Sequence, residues 1–188
     1  DVLVPRPETE TLVDAILNEN LQGKTLLELG TGSGAISISI AQENKDCFIF
    51  ATDISIKSIL VAKQNAAKFY CENIIFLNHD WNNEWLFPQV DYLISNPPYV
   101  DKEATSGKEE GIWHEPEIAL FSKGKGLSDL KLILSKGKKF LNESGKVYLE
   151  HAPDQYEELN KFAMDNGYLN FSNLNDLNGD KRVSIYQC

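Results

Sequence analysis

An α/β fold built on a mostly parallel sheet is the architecture that the sequence predicts, on three observations. Short apolar runs of strand length alternate with segments whose apolar residues keep helical spacing, the pattern of βαβ units with right-handed crossovers. The first run leads straight into a glycine-rich turn, Gly30-Thr31-Gly32-Ser33-Gly34. Each of the first four runs also ends in polar or glycine-rich residues, and open α/β sheets bind ligands outside the carboxyl ends of their strands.

Taken in order, Thr25 to Leu29 is the first strand, and Ala35 to Ala41 follows the glycine turn. By pattern alone that segment fits a strand, but the turn before it predicts a helix packed on the sheet. Phe48 to Thr52 forms a second strand ending at Asp53. Ile56, Ile59, Leu60, Ala66, Ala67 and Tyr70 then keep helical spacing. Ile74 to Leu77 is a third strand, closed by His79-Asp80-Trp81, and Val90 to Ser95 a fourth. A helix through Leu127, Leu130, Ile133, Leu134, Phe140 and Leu141 precedes a fifth strand, Lys146 to Glu150. Tyr156, Leu159 and Phe162 mark one more helix. Tyr168 to Phe171 and Val183 to Tyr186 read as a closing strand pair. The stretch from Asp101 to Gly126 breaks the rhythm, and a loop of that length is expected to act as a mobile lid over a substrate.

At 188 residues and 42% hydrophobic, the chain can bury the core of one domain. The net charge of −10 counts against a polyanionic partner, because nucleic-acid affinity rests on Lys and Arg neutralising phosphates. Cys47, Cys71 and Cys188 are odd in number and without CxxC spacing, as expected of free thiols in a reducing compartment. No apolar run approaches the ~20 residues of a membrane span, so a soluble cytoplasmic protein without a membrane partner is expected. His79, His114 and His151 lack metal-ligand spacing, and no metal is expected. The chain opens at Asp1, inside a motif-like segment, and is expected to be a fragment lacking an N-terminal part.

If the first and fourth strands are neighbours, the glycine turn and Asn96-Pro97-Pro98-Tyr99 flank one crevice. The turn offers close backbone approach and amides at a helix N-terminus. It also satisfies the loose dinucleotide pattern G-x-G-x-x-A, which keeps a nucleotide- or NAD-binding module in view. Asp53, 23 residues after Gly30, suits acceptance from two ribose hydroxyls or capping of the helix that begins near Ser55. The Asp80 carboxylate can accept from an exocyclic amine while Trp81 packs on an adenine, or the indole is simply core. Glu28 either faces the ammonium end of a ligand or braces the turn.

The two prolines of Asn96-Pro97-Pro98-Tyr99 fix φ and delete two backbone donors. A planar NH₂ is a poor nucleophile because its lone pair is delocalised, and positioning is the remedy. The Asn96 side-chain oxygen and the Pro97 carbonyl can accept its two N–H groups, with Tyr99 as a flat wall. No strong base is required, since the nitrogen becomes acidic only after alkylation. In Pro5-Arg6-Pro7-Glu8-Thr9-Glu10, the prolines stiffen the approach and Thr9 is expected to cap a helix from about Glu10 to Leu17.

Glu28-Leu29-Gly30-Thr31-Gly32-Ser33-Gly34, Asp53, Asp80-Trp81 and Asn96 to Tyr99 together resemble the motif series of class I S-adenosylmethionine-dependent methyltransferases acting on planar nitrogens. Pro5 to Glu10, Glu115-Pro116 with Ala119-Leu120, and the tail Asn178-Gly179-Asp180-Lys181-Arg182-Val183 narrow the resemblance to the peptide chain release factor glutamine methyltransferases (the PrmC/HemK type). The likeness runs from Val2 to the C-terminus. It implies a Rossmann-like, seven-stranded sheet with an antiparallel last strand and helices on both faces. Residues 1–20 would be a linker and first helix, residues 21–188 the methyltransferase domain, with a helical substrate-binding domain lying outside this chain. It implies S-adenosyl-L-methionine as cofactor, held by Glu28, Gly30 to Gly34, Asp53, Ile54, Asp80, Trp81 and Asn96. It also implies a release factor as protein partner, its Gly-Gly-Gln glutamine held by Asn96, Pro97, Pro98 and Tyr99, with Arg6, Pro7, Glu8 and Thr9 lining the site. Methylation of an adenine or guanine amine in nucleic acid, or of a ribosomal-protein glutamine, are the alternatives. The latter enzymes tend to carry a PRSP-like segment where this chain has Pro5-Arg6-Pro7-Glu8-Thr9.

Overall fold

The fold is given by a computed structural model that describes residues 5–103 and 116–188. Its strands are β1 (Thr25–Leu29), β2 (Phe48–Asp53), β3 (Ile74–Asn78), β4 (Val90–Ser95), β5 (Leu141–Glu150), β6 (Asn170–Asn175) and β7 (Lys181–Gln187). They form one seven-stranded sheet in the order β3-β2-β1-β4-β5-β7-β6. The first five are parallel, and β7 lies antiparallel between β5 and β6. The chain therefore steps outward from β1 through β2 to β3 and returns to the other side of β1 with β4. The expected adjacency of the first and fourth strands holds, with Leu29 beside Ser95.

Both faces of the sheet are covered, which is why its central strands are apolar almost throughout. Leu27, Leu29, Leu93, Val147 and Leu149 point to one face. They pack there with Leu130, Ile133 and Leu134 of α5 (Ser128–Gly137) and Leu159 and Ala163 of α6 (Tyr156–Asp165). The intervening Leu26, Ile94 and Tyr148 point to the other face. They meet Leu12 and Ile16 of α1 (Thr9–Leu17) and Ile36 and Ile40 of α2 (Ala35–Glu43). The segment after the glycine turn is thus a helix, as the turn implied, despite its strand-like alternation. A third cluster seats Ile59, Ala62 and Ala66 of α3 (Ile56–Lys68) on Ala51 and Phe76.

Several boundaries differ from those read in the sequence. β5 begins five residues early, at Leu141, because Ser144 at φ +65° and Gly145 let the chain turn and still pair Leu141 with Val90. The helix before it accordingly stops at Gly137 and tightens into a 3-10 turn, Lys138–Phe140. Thr9 does not cap α1. The cap position is Glu8, whose helical φ −61° and ψ −30° preclude side-chain capping geometry, and no side-chain cap bond forms. Within the long segment from Asp101 to Gly126, Glu117–Leu120 is a short helix, α4, and Val100 bridges Phe121. His114 and Glu115, and with them much of the expected lid, lie outside the described residues. Among the described residues no helix is long and apolar enough to cross a membrane.

Candidate active site

The carboxyl ends of β1, β2 and β4 and the loop after β3 open into one cleft enclosing about 230 Å³. The glycine turn after β1 forms its floor. Gly30, at φ +75°, brings the backbone so close to the Trp81 indole that a β-carbon would sit 3.1 Å from it. The turn is tied on every side. Thr31 N donates to Thr52 O at 2.8 Å, Asn65 Nδ2 to Ser33 O at 2.9 Å, and Ser95 Oγ to Leu29 O at 2.7 Å. Asp53 binds two loops at once: Oδ2 accepts from Gly32 N at 2.9 Å and Oδ1 from Ser55 N at 2.8 Å. Ser55, not Asp53, caps α3, its hydroxyl accepting from Ser58 N. Asn78 Nδ2 donates to the Asp53 and Ile54 carbonyls, adding the end of β3 to the same unit.

Glu28 lies under this turn rather than in the cleft. It is 1% exposed, and its Oε2 accepts from the hydroxyls of Thr31 and Ser37. Oε1 has no partner among the described residues. Burial pushes its carboxyl up to about 7, against the Ser37 and Thr31 hydrogen bonds that favour the anion. Unfolded, the group ionises near 4.5; folded, it holds its proton until about 7. Its contribution to stability is therefore full below pH 4.5 and is lost as pH rises to 7, by about 3 kcal/mol. Chemical denaturation of wild type and Glu28→Gln at pH 4.5 and 7.5 measures this. Wild type loses about 3 kcal/mol relative to the variant between the two pH values.

Trp81 forms one wall, its indole donating to Asp129 Oδ1 at 3.1 Å. Asp129 is held in turn by Ser122, whose hydroxyl donates to Oδ2 at 2.6 Å. Asp80 lines the same end and accepts from the backbone and side-chain nitrogens of Asn82. At the opposite end stand Asn96 and Pro98, with Thr9 beside them. Asn96 Nδ2 donates to Thr9 Oγ1 at 3.1 Å, and Thr9 Oγ1 donates to Glu150 Oε2 at 2.8 Å. Tyr99 turns away from the cleft and donates its hydroxyl to Glu150 Oε1 at 3.0 Å. Burial and the neighbouring Glu150 charge push that phenol well above its usual range.

Among the residues expected from the sequence, Gly30, Thr31, Gly32, Ser33, Asp53, Ile54, Asp80, Trp81, Asn96, Pro98 and Thr9 share this cleft. Gly34, Glu28, Pro97, Tyr99, Arg6, Pro7 and Glu8 are not among its lining residues. Pro116, Ile118 and Phe121, which fall within the expected lid segment but were not singled out as site residues, also line the cleft, and sequence reasoning missed Glu150 behind Thr9. For Glu150 a signal existed: a polar residue ending an apolar run, as Asp53 and Asn96 end theirs. Of the histidines, His151 is buried and bridges Ala152 O and Ser184 Oγ, and His79 packs edge-on against Phe87.

Residues 7–125 match the family model described as the methyltransferase small domain. The chain belongs to that family. Among similar curated proteins, the release factor glutamine methyltransferase of Aliivibrio fischeri is 34% identical over 187 residues, covering 98% of this chain and 66% of that protein. The namesake of Coxiella burnetii is 36% identical, covering 98% and 67%. A bifunctional methyltransferase of Rickettsia conorii is 35% identical, covering 98% and 41%. This methyltransferase domain thus spans about two thirds, or less, of the length of those relatives. Among solved structures, a methyltransferase from Pyrococcus furiosus superposes with TM-score 0.72 at 20% identity, covering 100% of this chain and 85% of that one. A ribosomal protein L11 methylase from Lactobacillus delbrueckii gives 0.71 at 18% identity, covering 100% and 80%. The domain therefore has the methyltransferase fold that its sheet order describes.

Proposed function

We propose that this domain transfers the methyl group of S-adenosyl-L-methionine to the side-chain amide nitrogen, N5, of the glutamine in the Gly-Gly-Gln loop of a peptide chain release factor. The observation that carries the reading is the Asn96 amide at the end of β4, facing the glycine turn of β1 across one cleft. The names of the relatives support the substrate. Acidic overall charge and the free thiols Cys47, Cys71 and Cys188 support a cytoplasmic setting and count against a nucleic-acid substrate.

The residues present fit the cofactor. At Gly30 the absent β-carbon lets the Trp81 indole close directly onto the turn, so that the turn and the ring form one surface along the cleft on which the cofactor would lie. The Asp53 oxygens each take one backbone N–H and keep lone pairs for ribose hydroxyls. Trp81, with Asp80 and Ile54 near it, would hold the adenine. When bound, the cofactor supplies an electrophilic sulfonium methyl for in-line attack by the glutamine nitrogen. Asn96 accepts from the amide NH₂ and aims its lone pair. The rigid Pro97-Pro98 pair keeps that acceptor fixed, so little ordering remains at the moment of reaction. Pro116, Ile118 and Phe121 add apolar surface to the cleft lining. No strong base is required, because the nitrogen becomes acidic only after alkylation and then loses its proton to water.

Incubation with methyl-labelled cofactor and either a release factor or RNA tests the reading. Label is expected on the Gly-Gly-Gln glutamine; label on RNA amines instead would replace it with nucleic-acid methylation. In a thermal-shift assay, S-adenosylhomocysteine at 100 times its Kd should stabilise the domain by about 2.7 kcal/mol, whereas NAD leaves it unchanged. The opposite pattern would mark a dinucleotide-binding module.

A further inference from the structure

Glu150 is fully buried at the carboxyl end of β5, and it does not line the cleft. Leu149 pairs with Ser95, so Glu150 and Asn96 are the next residues along adjacent parallel strands. Each Glu150 oxygen is met by a hydroxyl, Oε2 by Thr9 and Oε1 by Tyr99. An ionised carboxylate only accepts, so the single Thr9 proton goes to Glu150. The Thr9 oxygen can then act toward Asn96 only as an acceptor, and the Asn96 group that meets it at 3.1 Å is Nδ2. The Asn96 amide is planar, with oxygen and nitrogen on opposite branches. With Nδ2 on Thr9, Oδ1 is the branch left for the cleft.

We propose that Glu150, acting through Thr9, is a positioning residue that fixes which end of the Asn96 amide faces the substrate. The proposal rests on the amide-methylation reading, and it deepens that reading by assigning the acceptor its orientation. A flipped Asn96 would set N–H groups against the N–H groups of the incoming amide. It would then attract the substrate carbonyl oxygen and hold the nucleophile out of line. Flipping also forces the Thr9 proton toward Asn96 and leaves a buried carboxylate oxygen without its donor. A buried hydrogen bond of that kind biases orientation by roughly one to two orders of magnitude. Tyr99 holds the second oxygen, so the carboxylate is fixed from α1 and from the loop after β4 together.

The near-isosteric Glu150→Gln tests this, because a glutamine amide can donate to Thr9 and so release the Thr9 proton toward Asn96. Thr9→Val removes the hydroxyl at constant shape, and Thr9→Ser keeps it. With a release factor as substrate, Glu150→Gln and Thr9→Val are each expected to lower kcat by about tenfold or more, with cofactor affinity from calorimetry within about twofold of wild type. Thr9→Ser should stand about tenfold above Thr9→Val, and adding Thr9→Val to Glu150→Gln should cost little more, since both break one relay. A readout independent of turnover is the side-chain amide of Asn96 in asparagine-labelled protein, identified by its loss in Asn96→Ala. Its Nδ2 protons should be protected from exchange in wild type and Thr9→Ser, and unprotected in Thr9→Val and Glu150→Gln. Turnover within about twofold of wild type in both disrupting variants, or unchanged exchange in both, overturns the proposal. If wild type leaves the release factor unmethylated, the substrate reading fails, and the exchange measurement alone decides the role of Glu150. Should Thr9→Val not fold, Glu150→Gln against wild type carries both comparisons.

Discussion

Asn96→Ala lowers methylation of a Gly-Gly-Gln-bearing release factor by at least about 100-fold, on the scale of removing one preorganised contact at a reacting centre. Its binding of S-adenosylhomocysteine stays within about threefold of wild type. The reason is positional. The alanine removes the amide that faces the glycine turn across the cleft, while Asp53, Trp81 and the turn keep every contact they make with one another. The fold should be spared as well, because the Asn96 side chain is only partly buried and its one bond among the described residues is to Thr9, which remains anchored on Glu150. Single-turnover kinetics beside calorimetry separate the two effects. Near-normal methylation by the variant would sink the assignment of Asn96 and with it the amide-transfer mechanism.

Gly126→Ala should be the most damaging glycine substitution among the described residues whose surroundings are compared, at a position that does not line the cleft. Gly126 sits at φ +78°, and a β-carbon there would fall 1.9 Å from the Tyr99 carbonyl oxygen and 2.6 Å from Gln155 Nε2. The backbone must move, because the obstructing atom is main chain and Gln155 Nε2 already bridges Tyr99 O and Lys125 O. Left-handed strain of about 1–2 kcal/mol adds to the clash, for a total loss of at least about 3 kcal/mol. In a domain of this size that lowers Tm by roughly 6–12 °C. Gly179→Ala serves as the comparison, since Gly179 has φ +89° but nothing within 4 Å of a built β-carbon. It should lose only the strain, about 1–2 kcal/mol. Equal losses for the two variants would mean that the contact with Tyr99 is not what holds this turn.

The parts of the site legible in the sequence were those written along a single strand end. The glycine turn, Asp53, Asp80-Trp81 and Asn96 each follow an apolar run directly, and the parallel-sheet rule brings such ends together. What stayed hidden depends on pairing across the sheet. Thr9 looks like a helix cap because it precedes α1 by composition, yet the Glu150 carboxylate draws its hydroxyl inward and the cap position falls to Glu8. Glu28 looked equally able to reach a ligand or to brace the turn. Only the packing of Ser37 from α2 against it puts its carboxylate below the floor. The start of β5 was missed because Ser144 and Gly145 interrupt the apolar pattern where the chain turns. Pro116, Ile118 and Phe121 carry no periodicity from which a cleft wall could be read.

The bond between Thr9 and Glu150 joins residues 141 positions apart. The residues that line the cleft, Pro5 to Asp129, all precede β5 in the chain. Yet the brace behind Asn96 cannot form until Glu150 has been synthesised, and the strand flanking it, β7, follows later still. Contacts so distant in sequence close late in folding. A nascent chain could therefore complete its glycine turn and its β1–β4 pair well before Asn96 acquires its support. On the ribosome, a braced Asn96 would arrive with β5 and β7 rather than with the motifs that precede them.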